Sequence, residues 1–152
     1  MQTAALQVES TFLNSIRLQA AAPRLSGSPP PATIQAQTGL ADLTEPNLWR
    51  ADLAIVVRPA DEMRPLPYEI EVSISGIFRV VAQMEADAAR RLAYVNGMSI
   101  LYSSIRETVL LLTGRSAAGP YVLPTLSFVD EYDRLAPLKV AESPAPYGER
   151  KK

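Results

Sequence analysis

All 13 prolines of this 152-residue chain lie outside residues 68–119, so everything between Pro67 and Pro120 is free of the residue that breaks helix and sheet ladders. The regular heart of the fold must therefore sit there. Within it the apolar period changes once. Tyr68, Ile70, Val72, Ile74, Phe78 and Val80 alternate with Glu69, Glu71, Ser73, Ser75 and Arg79, the pattern of a half-buried strand over 68–82. Gly76 falls in the same register and marks either a bulge or a close backbone approach. Beyond it the spacing turns helical, with a short Ala- and Arg-rich helix over 85–94 and a main helix over 98–113. Met98, Leu101, Ile105, Val109 and Leu112 make one stripe of that helix, while Ile100, Leu110 and Leu111 lie off it. A surface helix of a monomer keeps one polar side. This one is expected to pack on its own sheet and on something else, a second subunit being the natural candidate. Gly114 is expected to end it, with Arg115 suited to the negative end of the helix dipole.

The proline-rich flanks carry the rest. Alternation predicts a long strand over 6–20, with Leu6, Val8, Phe12, Ile16, Leu18 and Ala20 on one face and Gln7, Glu9, Thr11, Ser15, Arg17 and Gln19 on the other. Leu13 and Asn14 break the pattern and suggest a bend. A Pro-rich crossover over 21–31 leads to a short weak strand at 32–38, a loop over 39–47 and a third strand over 50–58. An extended linker from Gly119-Pro120 to Pro124 leads to a last helix over 126–136, with Asp130, Glu131 and Asp133 in its first turns. The expected fold is α+β: a four-stranded antiparallel sheet with one face covered by a long helix, plus a short and a C-terminal helix. Residues 1–137 form one domain, and 138–152 are expected to be a flexible tail.

Composition narrows the function. The chain has no histidine and no cysteine, which removes Ser-His-Asp and Cys-His nucleophilic chemistry, imidazole- and thiolate-bound metals and disulfides. A net charge of −1 provides no global field for nucleic acid or anionic lipid. No phosphate loop, zinc spacing or nucleophile elbow occurs. The Glu69/Glu71 pair reads as the solvated face of a sheet, the Asp130 cluster as acids at a helix N-terminus, and Trp49 as core. The expectation is a protein that binds rather than catalyses, without cofactor or metal. The opening residues lack a basic segment followed by an apolar one, and in the most apolar region, 92–129, the longest uncharged runs are 14 residues (92–105 and 116–129), short of a membrane span. A cytoplasmic location is the expectation.

Ser99-Ile100-Leu101-Tyr102-Ser103-Ser104-Ile105-Arg106-Glu107, followed by Gly119-Pro120-Tyr121-Val122-Leu123-Pro124 and Phe128, resembles the SecB export-chaperone family. Phe12 to Ala20 resembles that family's first strand, and the order of elements agrees over residues 6–136. The resemblance implies a dimer of dimers that holds unfolded polypeptides or preproteins in apolar grooves without nucleotide. Client-binding positions would be Leu25 in the crossover and Val122, Leu126, Phe128, Val129, Tyr132 and Leu135 around the last helix. The two-faced helix would contribute Met98, Leu101, Ile105, Arg106, Glu107, Val109 and Leu112 to the oligomer interface.

The surface that would face the SecA translocation motor comprises Ser15, Gln19, Glu69 and Glu71. Here Ser15 and Gln19 stand where export members usually carry acids, and Met98, Ser99 and Ser103 replace a proline, an asparagine and a second proline. Half of the acidic dock is therefore missing, and SecA as a partner stays open. Three functional readings follow: a holding chaperone, linked to export or not; a dedicated SecB-like chaperone for an antitoxin in a toxin–antitoxin system; and an oligomeric interaction domain without chaperone activity. None requires nucleic acid or membrane insertion.

Overall fold

The computed structural model describes residues 4–21 and 30–140. Four strands, β1 (Leu6–Ala20), β2 (Ala32–Asp42), β3 (Leu48–Pro59) and β4 (Tyr68–Val80), are followed by helices α1 (Ala86–Thr113) and α2 (Val129–Val140). The strands form one antiparallel sheet in the order β1-β4-β3-β2, so β1 and β2 are its edges. One face carries α1 and the core. Trp49, Ala51, Leu53, Ile55 and Val57 of β3 and Tyr68, Ile70, Val72, Ile74, Phe78 and Val80 of β4 are buried beneath it, alternating with exposed or half-buried neighbours except at Ser75, which is buried on the other face.

The α+β sheet-and-helix architecture expected from the sequence is present, with differences in detail. The two helical stretches form a single 28-residue helix, because Asn96-Gly97 does not break it. Gly97 is buried against the ring of Phe78 and the methyl of Ala51, so it serves close packing rather than a turn. β2 is longer than expected and runs on through Gly39 to Asp42. The β2–β3 connection is correspondingly tight, closed by the Leu43 amide donating to the Leu48 carbonyl at 3.0 Å, with Asn47 in the left-handed region (φ 58). Trp49 is core, as expected, and its indole N–H donates to Asp42 at 2.6 Å. Gly114 ends the helix as its C-cap, as expected, but with right-handed dihedrals; the glycine in the left-handed region is Gly119, with a φ of 79. The last helix begins at Val129, not 126, and runs across the 137–138 boundary to Val140.

β1 contains two bulges. Register with β4 shifts between Val8 and Ser10 and again between Leu13 and Ser15, leaving Glu9 and Asn14 as surplus residues. Each bulge inverts the alternation. Between them Thr11 and Leu13 take the helix-side face, opposite Gly76 and Ile74, and Phe12 takes the open face opposite Ser75, the reverse of the simple alternating pattern. There Phe12 lies under the Arg50 guanidinium, 5.9 Å from the ring centroid.

Gly76 marks a close approach, with no bulge on its own strand. A Cβ there would come within 2.6 Å of the Phe78 ring and 3.0 Å of Leu101 on α1. Gly76→Ala is expected to lower stability by about 1–3 kcal/mol through overpacking. Gly97→Ala meets the same ring at a looser 3.3 Å and recovers about 1 kcal/mol of helix propensity, so it should cost clearly less. Urea denaturation of the two variants checks this ordering.

Candidate functional site

Between α1 and α2 the chain crosses the protein in an extended strap, residues 119–128. Its side chains alternate: Tyr121 and Leu123 are buried, while Val122 and Pro124 face solvent. An extended segment bonded to no strand must find partners for its carbonyls, and α1 and β4 supply them. The Tyr68 hydroxyl donates to the Gly119 carbonyl, the Arg106 Nε–H to the Leu123 carbonyl at 3.1 Å, and the Tyr102 hydroxyl to the Pro124 carbonyl at 2.6 Å. The Tyr121 amide donates in turn to the buried Thr113 hydroxyl at 2.9 Å. Phe128 closes the strap, buried edge-on against Tyr102 with ring centroids 6.0 Å apart.

α2 then lies beside the N-terminal half of α1 and the β2 edge, held by few contacts. Tyr132 tilts onto Tyr94 at 5.2 Å, and Arg91 stands over the Tyr132 ring and 3.5 Å from Asp133. The Thr38 hydroxyl shares a 2.8 Å hydrogen bond with the Tyr94 hydroxyl and lies 3.4 Å from Glu131. The Arg91–Asp133 pair is exposed on both sides, so it contributes little. The apolar side chains in this region, Leu126, Tyr132, Leu135 and those of Ile34, Ala36 and Leu40 on β2, are half-buried against the core. The result is a shallow apolar margin between α2, the strap and β2.

The expected client-binding residues divide accordingly. Leu126, Tyr132 and Leu135 line this margin and Val129 is exposed at its rim. Val122 is 62% exposed on the outer side of the strap, whereas Phe128 is 2% exposed and acts as the strap's anchor in the core. Leu25 lies outside the described residues. Tyr121, Leu123 and Tyr68 were not singled out by the sequence reading; the alternation of Tyr121, Val122 and Leu123 is the signal that could have found the first two.

The expected interface residues divide too. Met98, Leu101, Ile105 and Val109 face the sheet of their own chain, at most 1% exposed. Arg106 is bound to the strap carbonyl and, among the described residues, makes no ion pair. Glu107 and Leu112 are exposed, as are Leu110 and Leu111, so the apolar surface that α1 leaves uncovered is its C-terminal turn. Hydroxyls of Ser99, Ser103, Ser104 and Thr108 each donate to the carbonyl four residues earlier, which satisfies them without a partner across the helix.

Ser15, Gln19, Glu69 and Glu71 do share the open face, with Gln19 directly opposite Glu69 and Ser15 opposite Ser73. The two acids are not free. Arg17 reaches Glu69 at 3.3 Å and Glu71 at 3.9 Å, and Arg58 reaches Glu71 at 3.8 Å. Further along the same face Arg79 pairs with Glu9 and Glu45, at 2.6 and 2.9 Å, and these bonds raise its pKa. The face is a ladder of paired charges with no acidic field. Among the described residues no group of three carboxylates could hold a metal ion, and no helix is long and apolar enough to cross a membrane.

No protein-family model and no curated protein matches the sequence. Solved structures do. The Mycobacterium tuberculosis SecB-like chaperone Rv1957, determined in complex with a ChAD peptide from the Rv1956 HigA1 antitoxin, aligns over 81% of this chain and 91% of its own at 19% identity and a TM-score of 0.56. The fold is SecB-like. A Streptococcus agalactiae protein of unknown function also aligns, over 79% of this chain and 97% of its own, at 16% identity and a TM-score of 0.44.

Burial pushes the Tyr102 hydroxyl up to about 12 from an ordinary 10.0, against the opposing influence of Arg106, and raises Tyr94 and Tyr121 for the same first cause. The folded state therefore holds protons that the unfolded chain releases near pH 10.0. The stabilisation is fully present below that pH and is lost as pH rises toward 12. Thermal denaturation should show the melting temperature falling across that window. Tyr102→Phe should start lower, by about 1 kcal/mol for the bond to Pro124, and fall less steeply.

Proposed function

We propose that this protein is an ATP-independent chaperone that holds unfolded or non-native polypeptides, working as a homotetramer built as a dimer of dimers. The observation that carries the reading is the combination of the SecB-like fold with an apolar margin left open by the strap and α2. An unfolded client exposes apolar segments, and a shallow lined surface buries them without reading sequence. The chemistry asks for no reactive side chain and no cofactor. Client contacts fall to Leu126, Val129, Tyr132 and Leu135, with Val122 on the outer side of the strap and Leu25 in the crossover. Phe128 supports the site from beneath. Leu110, Leu111, Leu112 and Glu107 are exposed on α1 and available to another subunit.

A second reading, control of one antitoxin, is favoured by two observations: the Mycobacterium tuberculosis neighbour was solved with an antitoxin peptide, and the acids on the open face are neutralised by Arg17 and Arg58. An acidic dock for a motor such as SecA would need free carboxylates. A toxin–antitoxin gene pair beside this gene would select the second reading over general holding or export.

Light scattering of a denatured client tests holding. The protein is expected to slow aggregation when present at one tetramer per client, and Val129→Asp to weaken that protection several-fold with an unchanged melting temperature. Failure of the unaltered protein to slow aggregation would leave the inert interaction domain as the better reading, and a stable monomer in a mass determination would refute the tetramer. For the motor, the wild-type protein should bind SecA weakly and Ser15→Asp/Gln19→Glu more strongly. Tight wild-type binding that the added acids leave unchanged would contradict the neutral-face argument.

A further inference from the structure

Asn96 and Gly97 stand in the middle of α1 and form the one asparagine–glycine step of the sequence. The other two asparagines, Asn14 and Asn47, precede Ser15 and Leu48. An asparagine–glycine step has a chemistry of its own. The main-chain nitrogen after an asparagine can attack the side-chain carbonyl carbon, and glycine, with no Cβ, leaves that approach open. The bond from this nitrogen to Cγ forms, the C–N bond of the side-chain amide breaks, and ammonia leaves with the proton of the attacking nitrogen. Water then opens the five-membered imide to aspartate or isoaspartate. Water is the only other reactant.

The folded chain blocks that approach. Both residues are helical, so the Gly97 N–H is committed to the carbonyl four residues back. A helical ψ of about −42° also turns this nitrogen away from the Asn96 side chain. Gly97 is buried, with the Phe78 ring 3.3 Å and the Ala51 methyl 3.7 Å from where a Cβ would stand, and it cannot shift without unseating α1. Asn96 itself is exposed. Its amide is open to water, and the helical backbone is what guards it.

We propose that Asn96-Gly97 is a self-modification site gated by unfolding: it is inert while α1 is seated, and when the helix is lost it converts to isoaspartate, which bars the chain from returning to this fold. Isoaspartate carries the main chain through Cβ and so adds an atom to the backbone of α1 one residue ahead of Gly97. The hydrogen-bond ladder loses its register there, and Gly97 no longer falls over Phe78. That ring has no room to adapt, because Gly76 hems it from below, where a Cβ would come within 2.6 Å. Aspartate, the other product, leaves the backbone intact at an exposed position, and the fold accepts it. An unfolding event that would otherwise be reversible thus leaves a chemical mark. A domain unfolded about one part in 10³ to 10⁶ of the time runs the reaction slower by the same factor.

The test compares protein held folded in buffer with protein held unfolded in guanidinium chloride, at the same mildly alkaline pH, by peptide mapping over time. Asn96 should be lost in the denaturant and about a thousandfold or more slowly in the folded protein, while Asn14 and Asn47 persist in both. On dilution from the denaturant, the fraction that regains near-ultraviolet circular dichroism should fall in step with the isoaspartate formed. Gly97→Ala, which crowds the attacking nitrogen, should slow the loss several-fold in denaturant. Asn96→Gln, whose longer side chain does not close the five-membered ring, should keep its refolding yield through the same incubation. Freshly prepared Asn96→Asp should refold like the unaltered protein, which isolates isoaspartate as the product that blocks folding. Loss of Asn96 from folded protein at the rate seen in denaturant, or its persistence in denaturant, overturns the proposal. So does a refolded population that carries isoaspartate at residue 96 with an unchanged melting temperature, or an Asn96→Gln protein whose refolding yield falls as fast as the unaltered one.

Discussion

The contact on which the rest of the molecule depends is the close seating of α1 on β4, where Gly76, Phe78, Gly97 and Leu101 meet. Two positions without a Cβ let the Phe78 ring lie flat between sheet and helix. A helix resting on larger side chains would ride higher, and Met98, Leu101, Ile105 and Val109 would no longer fill the space above β3 and β4. The height of α1 also sets the height of its flank. From that flank Tyr102 and Arg106 reach the strap carbonyls, so the path of residues 119–128 is a consequence of how deeply the helix sits.

Polar groups are used in this protein mainly to finish backbone. Tyr68, Tyr102 and Arg106 satisfy carbonyls of an extended segment that contains two prolines and cannot bond to itself, and the serine and threonine hydroxyls of α1 bond to their own helix. On the open face the charges are matched in place, as between Arg17, Glu69, Glu71 and Arg58. Beside α2, half-buried apolar side chains of β2 and of the strap's end are left next to the sheet.

Most of this architecture was legible in the sequence, because one-sided burial imposes a period and the sequence keeps it. β3 and β4 alternate without interruption, and the proline-free stretch delimits the strand and helix that form the core. What could not be read has particular causes. The inverted phase at Phe12 arises from bulges at Glu9 and Asn14, and a bulge depends on pairing with β4, which lies about sixty to seventy residues away; the anomaly at Leu13 and Asn14 was visible, but its form was not. Asn96-Gly97 looks like a helix break until Phe78 is known to lie against it. β2 looked short because Thr38-Gly39 weakens its pattern, yet pairing with β3 extends it to Asp42. At the site, composition could mark Phe128 and Tyr132 as apolar, but only the geometry separates the buried anchor from the half-buried lining residue.

The bulges of β1 also bear on how this fold drifts between relatives. β1 has 15 residues opposite the 13 of β4. Because Glu9 and Asn14 have no partner across the ladder, losing either one would close a bulge and leave every other residue of the strand on its present face. Losing any neighbouring residue without a compensating slip would turn part of the strand over. The strand thus holds two positions at which its length can change while the core stays intact, and sequences sharing this fold should differ in length there sooner than anywhere else in the sheet.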